Sequence, residues 1–360
     1  MESQQDCSVL PKDSFVAAPS RTVALRVVYG ALTILALLVT FLVDVAVAKR
    51  MTETSGPLGD LLARGSAVPL LTLTVMLLGG VELLQLTRRL GALPHATFAC
   101  ISVATLVTLP WLSAAGWLGE RPSHVEGLYW PLVGLAAAVV GIGILSLARG
   151  TPRGIIRDGG ATLWVIVLLG FMGSFAMQLR CGRDVAAQQG AWLLLYVILV
   201  TKSSDMGAYL VGSACGKHKL VPAISPSKSI EGTIAGLAAS GAVAAGLLAV
   251  ALWAAGSGII AGTSTGFGNI VGLLGEGGRA LYPATSLSPW VLGKAFGLGV
   301  LLSAAGQIGD LVESCFKRDA AVKDSGKVIP LFGGILDLVD SLLFALPLGW
   351  FAVSERWLVP

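Results

Sequence analysis

The feature that most restricts this chain is a succession of apolar runs, each close to the ~20 residues that an α-helix needs to cross a bilayer. They fall near residues 27–43, 67–86, 97–117, 128–148, 161–179, 190–211, 232–255, 288–309 and 333–353. Lipid offers no water to backbone amides and carbonyls, so a single run of this kind must close its hydrogen bonds within itself, as a helix. The prediction is an all-α, polytopic membrane protein with about nine transmembrane helices. Composition agrees, since 13% of residues are charged against ~25% in soluble domains.

The run 27–43 carries no charge. Ala46-Val47-Ala48 after it could pass for a signal-peptidase site, but the run exceeds a usual signal core, and it is read as an uncleaved first span. The Gly-rich stretch 256–278 is read as a loop or re-entrant segment and not a tenth span. Small residues over 232–262 suit close helix packing in lipid. Residues 1–22 form a polar tail, 23–190 the N-terminal helices, and 191–360 a C-terminal region that holds the polar motifs.

Lys and Arg divide unevenly between alternate connections. With the N-terminus inside, sixteen lie in inside segments and eight in outside ones, and Lys294 falls within a span. This bias predicts a cytoplasmic N-terminus, a C-terminus outside, and cytoplasmic placement of loops 202–231 and 310–332. The five cysteines are scattered and form no C-x-x-C pair, and there are three histidines. Neither a disulfide framework nor a zinc site is indicated.

Chemistry concentrates between Gly309 and Ser341. Asp310, Glu313, Ser314 and Lys317 fall at i, i+3, i+4 and i+7, one face of a helix. Asp337, Asp340 and Ser341 repeat the spacing. Between them lies a polar loop with Lys323, Asp324 and Ser325 that ends in Pro330 and Gly333-Gly334, where a second helix is expected to begin. Helix N-termini attract phosphates, and glycine permits close backbone approach. Carboxylates on two helices, with Lys and Arg between, can hold a divalent metal against a polyphosphate. A second cluster comprises Asp205, inside or at the end of an apolar span and so a functional candidate by default, and the run Ser225-Pro226-Ser227-Lys228-Ser229-Ile230-Glu231-Gly232. That run can present hydroxyls, amides and a cation to an anion, or simply cap a helix.

Taken in order, Asp205…Ala208-Tyr209, Ser225-Pro226-x-Lys228-x-x-Glu231-Gly232, Ser314-Cys315-Phe316-Lys317-Arg318-Asp319, Lys323-Asp324-Ser325-Gly326 and Gly333-Gly334-Ile335-Leu336-Asp337-Leu338-Val339-Asp340-Ser341 resemble the signature of phosphatidate cytidylyltransferases, the CDP-diacylglycerol synthases. The resemblance lies in the C-terminal half; residues 1–190 match only as hydrophobic spans. It implies that CTP and phosphatidate, a membrane lipid, give CDP-diacylglycerol and pyrophosphate in a bacterial cytoplasmic membrane. It also implies Mg²⁺ on Asp310 and Asp337, with Asp340 and Asp205 as further ligands or supports. Lys317, Arg318, Lys323 and Lys228 would hold phosphates, and Ser225, Ser314 and Ser325 would add hydroxyl contacts. Asp310, Lys317, Arg318, Asp337 and Asp340 are the expected catalytic set; Asp205, Ser225, Lys228, Ser314, Lys323, Asp324 and Ser325 are the expected substrate-binding set. No nucleic-acid partner is expected, and a homodimer is a candidate assembly.

Phe332 stands where this family has His, Leu338 where it has Arg, and Ser229 where it has Thr. Phe332 offers no hydrogen bond and Leu338 no charge. A paralog with lost activity or altered substrate is therefore one alternative. A transporter is another, because transporters also bury charge near broken helices; no internal repeat is visible here. Of the remaining residues, Glu82 is read as a structural ion pair with Arg88-Arg89, Lys294 as reaching the interface, His218 as a surface residue, and the tryptophans as interfacial anchors.

Overall fold

In the computed structural model, residues 20–52, 56–119, 127–182, 187–256, 275–276, 279–280, 289–326 and 333–355 are described. Among them are nine helices long and apolar enough to cross a membrane. The first, α1 (Ser20–Met51), belongs to two compact units: Met1–Val39 and Thr40–Pro360. In the first unit the described residues, 20–39, are helix throughout.

The second unit begins with the end of α1. The helix continues unbroken through Ala46–Ala48, with Ala48 buried. Then come α2 (Pro57–Ala63), α3 (Ala67–Arg89), α4 (Ala96–Ala114), α5 (Tyr129–Ala148) and α6 (Ile155–Cys181), which passes through a π-helical turn at Ile166–Met172. After α7 (Ala187–Cys215) the chain forms an antiparallel hairpin, β1 (Lys219–Val221) and β2 (Ser225–Ser229), pairing Lys219 with Ser229 and Val221 with Ser225. Then follow α8 (Ile230–Gly256), a second hairpin of β3 (Gly275–Glu276) and β4 (Arg279–Ala280), α9 (Pro289–Asp319) and α10 (Leu336–Ser354).

The helices fall on the nine expected runs, with differences that matter near the site. The span was expected to end near 309, ahead of the loop 310–332; instead α9 continues unbroken to Asp319. Nothing at 309–312 stops it, and the polar residues lie along one face of its last turns. The helix expected near 190–211 runs on to Cys215, so Asp205 sits within α7 and not in the loop counted from 202. The Ser225–Ser229 run is a strand that ends, as expected, where a helix, α8, begins. Its last residue still caps α8, since Ser229 Oγ accepts a hydrogen bond from Gly232 N at 3.1 Å. Most of 256–278 lies outside the described residues, as do Phe332 and Pro360.

Lipid tails are as apolar as leucine, so packing and internal polar bonds hold such helices together. Met76, Leu83 and Leu84 of α3, Val103 and Leu106 of α4, Ile166 and Leu169 of α6, and Leu336, Val339 and Leu343 of α10 form one buried apolar cluster. It joins the N-terminal helices to the last one. A polar seam ties α7, α8 and α9: Ser204 Oγ lies 2.5 Å from Ser303 Oγ, and Gln307 Nε2 donates to Ser204 Oγ at 3.2 Å and to Thr233 O at 3.3 Å. Two ion-pair clusters fasten connections. Asp44 and Arg180 meet at 2.5 Å with both side chains wholly buried, and Asp44 also accepts Ser66 N at 2.7 Å and Val68 N at 3.1 Å. Asp158 accepts Leu93 N at 2.9 Å and pairs with Arg149 and Arg157, each at 3.2 Å.

Candidate active site

The last turns of α9 and the first turn of α10 face each other, with α7 and the β1–β2 hairpin completing the walls. The i, i+3, i+4, i+7 spacing puts Asp310, Glu313, Ser314 and Lys317 on the inward side of α9. Lys317 pairs with Glu313 on its own helix and donates to Asp337 Oδ1 of α10 at 2.7 Å. Lys228 of β2 reaches Asp310 Oδ2 at 2.8 Å and Gln307 O at 3.4 Å. Ser314 Oγ donates to Asp310 Oδ1 at 3.4 Å. Lys202 of α7 meets Asp205 Oδ2 at 3.1 Å and donates to Ser341 Oγ of α10 at 2.8 Å. Each lysine thus bridges to a carboxylate or hydroxyl, and two of the bridges cross between elements far apart in sequence.

One carboxylate oxygen from each of Asp310, Glu313 and Asp340 lies within 4.8 Å of the others. Glu313 and Asp340 are buried and Asp310 is partly exposed. Like charges so close raise each other's energy, and a cation between them relieves it. Oxygen donors alone are the set that a hard divalent ion prefers, so these three residues fit such an ion.

Asp337, expected as a ligand beside Asp310, is not part of that triad. One of its oxygens takes Lys317, and the other accepts Ser325 N at 3.1 Å, Ser325 Oγ at 3.0 Å and Gly334 N at 2.7 Å. It fastens the loop before α10 to the helix start. Gly333 makes this possible, because its φ of 97° is open to glycine at little cost.

The other expected residues divide. Ser225, Ser314 and Ser325 are buried. Lys323 and Asp324 are exposed on the loop leading to Ser325. Arg318 is exposed and donates from Nε to Ile224 O of the hairpin turn at 3.1 Å. Leu338 packs against the apolar cluster.

Glu82 is not paired with Arg88 or Arg89 in the way expected. Its oxygens accept Ser325 Oγ at 3.1 Å, Ile335 N at 3.0 Å and Leu336 N at 2.8 Å. Three residues beyond the expected set also belong to the site. Glu313 could be found by its spacing from Asp310 and Lys317. Lys202 read only as one more inside charge. Gln307 lies one turn before Asp310 but carries no charge to draw notice.

Comparison with known proteins decides the family: the model of the cytidylyltransferase family matches residues 22–354. The chain belongs to the cytidylyltransferase family. It is a CTP-dependent nucleotidyltransferase embedded in a membrane. A phosphatidate cytidylyltransferase of Staphylococcus aureus (strain COL) is 30% identical over 285 residues, covering 77% of this chain and 91% of that protein. One of Staphylococcus haemolyticus is 30% identical over 290 residues, 78% of this chain and 92% of the relative. The uncharacterized protein YnbB of Escherichia coli K12 is 31% identical over 226 residues, which is 63% of this chain and 62% of YnbB.

Proposed function

We propose that this protein transfers the cytidylyl group of CTP to phosphatidate, yielding CDP-diacylglycerol and pyrophosphate. The observation that carries this reading is the meeting of Lys228 with Asp310 and of Lys317 with Glu313, beside Asp340 and the Lys202–Asp205 pair, at the junction of α7, β2, α9 and α10. The names of the staphylococcal relatives point to the same substrate pair.

The chemistry needs no dedicated nucleophile on the protein. A phosphate oxygen of the lipid attacks the α-phosphorus of CTP, the bond from that phosphorus to the bridging oxygen breaks, and pyrophosphate leaves. The protein's task is to align two polyanions and offset their repulsion. Lys228 and Lys317 can turn from their carboxylates toward phosphate oxygens; Ser314, bonded to Asp310, can add a hydroxyl contact, and Ser225 stands three residues before Lys228 on β2. Lys323 stands exposed at the loop entrance. Asp310, Glu313 and Asp340 would hold Mg²⁺, which when bound supplies positive charge to the transferring phosphates. Asp337 holds Lys317 and Ser325 in place. Leu338, partly buried and packed against the apolar cluster, supports a working site that has repacked around leucine over an eroded one.

Purified protein given labelled CTP, phosphatidate and Mg²⁺ should form a CDP-lipid, and chelation should stop it. No CDP-lipid under these conditions would overturn the reading. The Lys and Arg bias further supports a cytoplasmic site; a reporter fused after Pro360 should then be exposed on the opposite side of the membrane.

A further inference from the structure

One acidic side chain of the N-terminal helices reaches this site. Glu82 of α3 is 4% exposed and has no arginine or lysine among the hydrogen-bond partners described for it. It takes three donors from the far end of the chain: the amides of Ile335 and Leu336 and the hydroxyl of Ser325. The first amides of any helix lack partners within the helix. At α10 the N-cap residue is Ile335, whose side chain makes no capping bond. Glu82 supplies the cap from 254 residues away in sequence. A negative group there also matches the positive end of the helix dipole.

Two glycines mark the space that the carboxylate occupies. A Cβ added to Gly326 would collide with Glu82 Oε1, and one added to Gly334 would collide with Glu82 Oε2. Ser325 Oγ lies within reach of both Glu82 and Asp337, at 3.1 and 3.0 Å. Loop 323–326 and the start of α10 are therefore clamped from one side by Glu82 and from the other by Asp337.

We propose that Glu82 is a positioning residue of the transfer site, latching loop 323–326 to the first turn of α10 and thereby fixing where Asp337 and Asp340 stand. This rests on the reading of the site as one for cytidylyl transfer.

Glu82→Gln keeps the volume but turns one acceptor oxygen into an NH₂ group facing other donors. Supporting groups around a metal site typically change metal affinity or activity by about 10- to 100-fold. The Mg²⁺ concentration giving half-maximal turnover should rise within that range, while KM for phosphatidate stays nearly constant. Hydrogen exchange at Ile335 and Leu336 should speed up at least ~10-fold, as expected for amides stripped of their cap. Glu82→Asp should restore part of both.

Unchanged exchange at those amides, or an unchanged Mg²⁺ response in a variant that is merely less heat-stable, would overturn the proposal. If Glu82→Gln does not accumulate, Ser325→Ala carries the test. It removes only the latched hydroxyl and should shift the Mg²⁺ response the same way, and no shift would overturn the latch. Should the wild-type protein make no CDP-lipid, the functional reading falls. Amide exchange and heat stabilisation by Mg²⁺ alone would then decide the latch.

Discussion

Two of the places where acid and base meet among the described residues are built differently. At the ends of α1 and α6, Asp44 and Arg180 are each 0% exposed and face each other at 2.5 Å. Asp44 spends its other oxygen on the amides of Ser66 and Val68. That cluster is closed. Where α7, β2, α9 and α10 meet, Lys228 and Asp310 keep 22% and 33% of their side chains exposed, and Lys202 and Asp205 keep 30% and 41%. Here the carboxylates Asp205, Asp310, Glu313, Asp337 and Asp340 outnumber the lysines Lys202, Lys228 and Lys317. A closed pair fixes helices. An open, unbalanced group can exchange its internal partners for a ligand's. The difference explains why charge inside a membrane protein need not signal function: what matters is whether its partners are already committed.

The largest expected effect breaks the closed cluster. Arg180→Met leaves Asp44 buried without its cation, and losing one member of a buried pair costs about 3–5 kcal/mol. Heat unfolding in detergent should fall sharply, while turnover per folded molecule stays near wild type. Loss of turnover without loss of stability would place Arg180 in the site's machinery and erase the contrast.

Next comes the open group. Asp310→Asn and Asp340→Asn should each lower CDP-lipid formation on the order of 100-fold or more, the scale of losing a main electrostatic stabiliser, with little change in melting. Asp337→Asn sharpens the picture. Because its oxygens are occupied by Lys317, Ser325 and Gly334, it should lose activity together with order in loop 323–326, seen as faster proteolysis or amide exchange there. A pure activity loss in Asp337→Asn, with the loop unchanged, would return it to the residues proposed to hold Mg²⁺.

Leu338→Arg tests repacking. Placing a cation where the partly buried leucine contacts the apolar cluster sets a charged donor against apolar side chains, at about 1–3 kcal/mol where the donor stays unpaired. Melting should drop and transfer should not rise. A gain in CTP-dependent transfer would show that the wild-type site is eroded. The smallest change expected is in Lys228→Gln, which should raise KM for CTP about tenfold, the order of one charge-assisted contact; an unchanged KM would leave Lys228 as a partner of Asp310 alone.

By itself, the sequence determined the bundle. Runs of membrane length can satisfy their backbone in lipid only as helices, so the nine membrane-length helices among the described residues followed from apolar length alone, with ends displaced mainly where polar residues continue a helix, as along Asp310–Asp319 of α9. Spacing also placed Asp310, Glu313, Ser314 and Lys317 on one face, because helical periodicity is local. What only the tertiary structure decided is which charge meets which. Lys228 with Asp310 and Lys202 with Ser341 are pairings between distant elements, and no local pattern encodes them. Asp337 looked equal to Asp310 in sequence, yet the positive φ at Gly333 and the approach of Ser325 commit its oxygens to the loop. Glu82 gave a misleading local cue in Arg88 and Arg89, because the donors it serves, the uncapped amides of α10, arise only once that helix exists and lies against α3.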